Sequence, residues 1–151
     1  MAKIVSFVTN TVSPIAIGDG SAVRFLLVVT APAAQDIVVD FFVSHNGKAA
    51  DADQIKYEVV RATDPVNGAD GVALTGRVMD NRLDDANVST AVIQRGDATA
   101  TQVLDGRFVH PQSGAGFGTF VVKQGTTIGL RYTQTSTAGL VSVIGRAVVR
   151  E

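Results

Sequence analysis

The chain has 151 residues, the size of one ordinary domain of roughly 100 to 200 residues, so a single core is expected. It contains no cysteine, which excludes disulfides, thiol catalysis, cysteine-bound zinc and iron–sulfur clusters. A formal charge of −1 argues against a protein held to nucleic acid by counterion release, and no apolar run approaches a membrane span of roughly 18 to 20 residues.

The residue types favour strands. There are 24 Val, 8 Ile and 14 Thr, all stiff at χ1 and suited to a pleated surface. The acids are 12 Asp against 2 Glu and the bases 9 Arg against 4 Lys, so turn-forming Asp is abundant while the residues of exposed helix faces are scarce. The start, Met1-Ala2-Lys3, is followed by Ser6, Thr9 and Asn10, which interrupt any signal-peptide core, so synthesis in the cytoplasm is expected.

In chain order, Ile4 to Thr9 reads as a short strand, and Ser13 to Ile17 as an extended segment that Pro14 confines to an edge. Residues 1–20 are therefore expected to form an arm or edge strand, with Ile4, Val5, Phe7, Val8, Ile15 and Ile17 as its interface side chains. Residues 21–151 form the domain proper. Ala22 to Thr30 is nearly all apolar and Asp36 to Ser44 follows it, closed by Asn46-Gly47. Gln54 to Ala62 alternates Ile55, Tyr57 and Val59 against Lys56 and Glu58; a helix is the competing reading, since Ile55 and Val59 also stand four apart. From 63 to 87 the Asp-Pro, Asn-Gly, Asp-Gly and Thr-Gly pairs predict a long irregular excursion, suited to partner-facing surface. Further strands are expected at Val88 to Arg95, Thr101 to Leu104, Arg107 to His110, Phe117 to Lys123, Thr126 to Thr133 and Leu140 to Arg150. Asp105-Gly106, Gln112 to Gly116 and Gln124-Gly125 would separate them. About nine to ten short strands with frequent turns predict an all-β, antiparallel β-sandwich.

Catalytic constellations are weak. His45 and His110 are the two histidines, both expected as surface residues at strand ends, His45 beside Asn46-Gly47, and no Gly-x-Ser-x-Gly elbow is present. The Asp51/Asp53, Asp64/Asp70 and Asp84/Asp85 clusters lack EF-hand spacing, and turn formation accounts for them, so no metal is expected. Gly114-Ala115-Gly116-Phe117-Gly118 precedes no helix that could hold a phosphate. Two glutamates and no tryptophan make a glycosidase or a tryptophan-stacking lectin improbable; Tyr57 and Tyr132 are candidate sugar contacts, although core packing explains both better. No cofactor and no enzymatic activity are expected.

Tyr57-Glu58-Val59-Val60-Arg61-Ala62-Thr63, a Gly/Asp loop, Ala73-Leu74-Thr75-Gly76-Arg77-Val78-Met79-Asp80-Asn81 and Ala91-Val92 carry a resemblance, as do Gly129-Leu130-Arg131-Tyr132 and the closing strand Leu140 to Arg150. Over residues 54–93 and 126–151 the chain resembles small structural proteins of tailed phages, with Thr75-Gly76 where that pattern has Thr-Pro. The resemblance implies a jelly-roll-like sandwich acting in the virion as a capsid decoration or cement subunit. Its partners would be the major capsid protein and copies of itself, most simply a homotrimer, with no nucleic acid, membrane or small-molecule substrate. A tail or fibre module that binds a host-surface glycan is the alternative.

Overall fold

The computed structural model describes residues 4–8, 15–16, 23–46, 55–66, 77–78, 92–94, 97–110, 113–134 and 140–151, and all of them belong to strands and their connections. The strands are β1 (Ile4–Val8), β2 (Ile15–Ala16), β3 (Val23–Thr30), β4 (Ile37–Asn46), β5 (Ile55–Val66) and β6 (Arg77–Val78). They continue as β7 (Val92–Gln94), β8 (Asp97–Val109), β9 (Gly114–Val122), β10 (Thr127–Gln134) and β11 (Leu140–Arg150). Eight are long; β2, β6 and β7 are pairings of two or three residues. The expected nine to ten strands are thus eight principal ones among the described residues.

The long strands form two antiparallel sheets of four. In the first the order is β1-β11-β4-β9, with β6 beside β1 and β2 on β11; in the second it is β3-β10-β5-β8, with β7 beside β3. If the eight are numbered along the chain, the sheets read 1-8-3-6 and 2-7-4-5, the interleaved double Greek key of a jelly roll. The all-β sandwich expected from composition and turn spacing is therefore the fold.

The core follows from alternation. Val39, Phe41 and Val43 on β4 face Tyr57, Val59 and Leu130 of the second sheet, all at most 4% exposed. Burying each such side chain contributes about 1.5 to 3 kcal/mol. At the centre the sheets approach closely: a Cβ on Gly145 would stand 2.7 Å from Leu26 Cδ2, so glycine leaves the space that leucine fills. Gly125 serves another need. Its φ of +69° makes the tight turn from β9 to β10, where Thr126 N donates to Lys123 O (3.0 Å) and Gly125 N donates to Pro32 O (3.0 Å).

Several local expectations are corrected. β5 is a strand through the segment where a helix competed, and it runs on to Val66, past the expected start of the excursion at Thr63. Of that excursion, 67–76 and 79–87 lie outside the described residues. Asp105-Gly106 does not divide two strands, because β8 is continuous. The register against β5 shifts between Val59, opposite Asp105, and Val60, opposite Val103, so Leu104 is the extra residue of a bulge. Asp105 Oδ1 accepts from Gly106 N at 2.8 Å and so occupies an amide that a hairpin would have turned. Gly114 to Gly116 begin β9 rather than forming a turn, paired with Ser44, Val43 and Phe42.

Candidate functional site

The six side chains expected at an interface separate. β1 pairs antiparallel with β11 along its whole length, Ile4 opposite Arg150 and Val8 opposite Arg146, and β6 pairs on its other side. Residues 4–8 are a strand of their own sheet. Val5 is fully buried in the core and is corrected from a docking residue to a packing one. Ile4 (40% exposed) and Val8 (41%) point outward. Ile15 lies in β2 opposite Val141, and the side chains of Ile15 and Phe7, with all of Ile17, fall outside the described residues.

Ile4 and Val8 belong to a larger surface, the outer face of the first sheet. Pairing sets Ile4, Arg150, Val38 and Val121 in one row across β1, β11, β4 and β9, and Val8, Arg146 and Phe42 in another. Val121 is 69% exposed and Ile144 47%. Between these aliphatic side chains lie one ion pair and one cation–π contact. Arg150 Nη2 pairs with Asp40 Oδ2, and Thr119 donates its hydroxyl to Asp40 Oδ1, so a carboxylate only 9% exposed has a partner on each oxygen. The Arg146 guanidinium lies over the Phe42 ring, 4.6 Å from its centre. Sequence reasoning missed Val121, Ile144, Phe42 and Arg146. The signal was the parity of β11, where Ile144, Arg146 and Arg150 share one face while Val143, Ala147 and Val149 take the other.

Replacing Arg150 by alanine leaves Asp40 with the Thr119 hydroxyl alone. The expected loss is about 1 to 3 kcal/mol of unfolding free energy, measured in urea. An unchanged midpoint would mean that the pair contributes nothing.

At one end of the sandwich, where β4 closes and β8 passes into β9, a buried network replaces the surface histidine expected at position 45. His45 is 9% exposed because residues 110 and 113 cross over it. His45 Nδ1 stands 3.2 Å from His110 O and Nε2 stands 2.6 Å from Tyr57 Oη. A carbonyl oxygen can only accept, so Nδ1 carries the proton, and Nε2 accepts from the Tyr57 hydroxyl. Burial holds His45 below its ordinary value of 6.5, opposed by the backbone contacts at His110 and Ser113. Burial likewise drives the Tyr57 phenol well above its usual range, with Tyr132 adding to it. Tyr57 and Tyr132 are 0% and 6% exposed, ring against ring at 6.2 Å, so both are core residues and neither can meet a sugar.

A cleft of about 1020 Å³ opens beside β9, lined by Arg61, Thr63, Leu104, Phe120 and Thr126, among others. Its hydroxyls are largely committed: Thr30 bonds Thr127 (3.0 Å), Thr101 donates to Arg61 O (3.2 Å) and Thr126 to Lys123 O (2.7 Å). With those hydroxyls committed, Arg61 and Lys123 are the charged donors of the lining.

Among the described residues no group of three or more His, Asp or Glu could hold a metal ion. Asp51, Asp53, Asp70, Asp84 and Asp85 lie outside the described residues, as does the side chain of Asp64. No protein-family model matches the chain, and no curated protein matches it either.

Proposed function

We propose that the chain is a non-enzymatic virion structural protein, a decoration or cement subunit that binds the major capsid protein of a phage shell through the outer face of its first sheet. The observation that carries this reading is the set of exposed aliphatic side chains on one sheet face, Ile4, Val8, Val121 and Ile144, set around the Arg150–Asp40 pair and the Arg146 guanidinium over Phe42. On such a surface the aliphatic groups gain from burial, while Asp40 keeps Arg150 as its counter-ion and Arg146 keeps the Phe42 ring. The resemblance to tailed-phage structural proteins supports the same reading.

A homotrimer would present the face three times. Linked contacts become effectively intramolecular after the first, and avidity exceeds the single contact by about 10² to 10⁴. Attachment should survive moderate salt, because aliphatic contacts are not screened and Asp40 and Arg150 pair within the chain. The test strips the protein from particles, records the temperature at which shells release DNA, and adds back purified wild type or the Val121→Asp, Ile144→Asp double variant. Wild type should rebind and restore the temperature, and the folded double variant should do neither. A protein that does not rebind shells and leaves the temperature unchanged overturns the reading. If it then binds isolated host polysaccharide, the tail or fibre module takes its place.

A further inference from the structure

We propose that His45 is a proton-operated latch, which holds His110 and Ser113, between β8 and β9, against the end of the sandwich at neutral pH and releases them in acid while the two sheets stay assembled. The inference is independent of the capsid reading.

The latch rests on the bonds that tie His110 and Ser113 to the end of β4. His110 O accepts from three donors, His45 Nδ1 at 3.2 Å, Ser113 N at 2.9 Å and Ser113 Oγ at 3.1 Å. The His45 amide donates to Ser113 O at 3.2 Å. One residue of β4 thus makes both described bonds from that strand's end to the connection, one through its ring and one through its backbone. On its far side the same ring is fixed by Tyr57 Oη at 2.6 Å and stacked on the Tyr57 ring, centres 5.5 Å apart.

Neutral imidazole fits every contact. A second proton on Nε2 does not, since that nitrogen now accepts from Tyr57. The phenol hydrogen would have to turn away, toward a region walled by Phe117 (5.7 Å between ring centres) and Tyr132 (6.2 Å). Among the described residues, no carboxylate pairs with the cation. On β5 and β10 the facing titratable groups are Tyr57 and Tyr132, neither of them an anion at neutral pH. On β8 they are Asp105 and Arg107, paired with each other at 3.2 Å, with Arg107 over the outer side of Phe117. The His110 side chain is the titratable group of the connection itself. On β11 the residue opposite His45 is Val143, which carries no charge. A charged imidazole therefore gains most by turning into water at the rim, which breaks its bond to His110 O and loosens the neighbouring bond from its own amide to Ser113 O.

The sign is fixed by the direction of the shift. With the closed form holding His45 below 6.5, the open form binds more protons in acid. Closure is complete above about pH 6.5 and weakens by roughly tenfold per pH unit as pH falls from there toward the closed-state value.

The experiment follows imidazole nitrogen shifts and amide hydrogen exchange by NMR from about pH 7.5 to about pH 5. At the upper end His45 should carry its proton on Nδ1. On acidification its protonation should coincide with loss of exchange protection at the amides of His45 and Ser113, corrected for intrinsic rates, while Val59 and Leu130 stay protected. In His45→Gln the protection at these two amides should not depend on pH; in His110→Gln, which keeps the carbonyl, the dependence should persist. Should His45→Gln fail to fold, wild type and His110→Gln decide the matter. The latch is overturned if His45 protonates without local loss, if the loss survives in His45→Gln or vanishes in His110→Gln, if core and connection lose protection together, or if His45 stays neutral and the connection stays protected throughout.

Discussion

Truncation of Tyr57 to alanine should remove more stability than any other single change considered, about 3 to 5 kcal/mol from the lost packing of a fully buried aromatic. The ring touches His45, Phe117 and Tyr132, and these come from three strands on both sheets, so collapse of one wall cannot fill the void. The truncation also strips His45 Nε2 of its donor, adding about 1 to 3 kcal/mol for a buried unsatisfied group. Against a total of about 5 to 15 kcal/mol for an ordinary domain, that is a large share. At about 2 to 4 °C per kcal/mol, melting should fall by roughly 8 to 30 °C. Tyr57→Phe, which keeps the ring, should show the hydrogen-bond part alone. Urea unfolding of both variants separates the two contributions; a loss under about 1 kcal/mol for the alanine variant would contradict the packing described.

Deleting residues 2–8 should come next. As a detached arm this segment would leave the melting temperature unchanged. As β1 it holds Val5 in the core and satisfies the outer edge of β11 over five residue pairs from Ile4↔Arg150 to Val8↔Arg146. Loss of Val5 alone costs about 1.5 to 3 kcal/mol. The exposed edge of β11 would add a tendency to pair with other chains. Differential scanning calorimetry should record a fall on the order of 5 to 10 °C, with aggregation on heating. A truncated chain that melts like wild type would restore the arm and remove Val5 from the account of the core.

How far the fold could be read from the residues depended on the range of the interactions. Period-two alternation at Ile55, Tyr57 and Val59 is local, and it marked β5 and its buried face correctly. Gln124-Gly125 marked a turn for a reason also local, the positive φ that Gly125 adopts. Asp105-Gly106 misled because the same dipeptide chemistry that turns a hairpin also satisfies the free amide of a bulge on an edge strand. Sheet order was not legible in periodicity, since it depends on pairings such as Ile4 with Arg150 that nothing in either segment announces. Asn46-Gly47 suggested an exposed His45, whereas burial of its ring is decided by residues 110 and 113, far along the chain. Of the candidate face, Ile4 and Val8 were legible as apolar residues near an edge. Val121 and Ile144 were not, because a strand residue facing water and one facing a partner obey the same alternation.

The central claim is that the outer face of the first sheet is the surface applied to a phage shell. A cryo-electron map of stripped particles decorated with the purified protein tests it most directly. The account predicts density for a two-sheet jelly roll with Ile4, Val8, Val121 and Ile144 against the capsid surface, and the opposite sheet, with Phe108 and the Glu58–Arg131 pair, turned to solvent. Density in which the second sheet or the β8 edge meets the shell, or particles that remain bare at saturating protein, would contradict it.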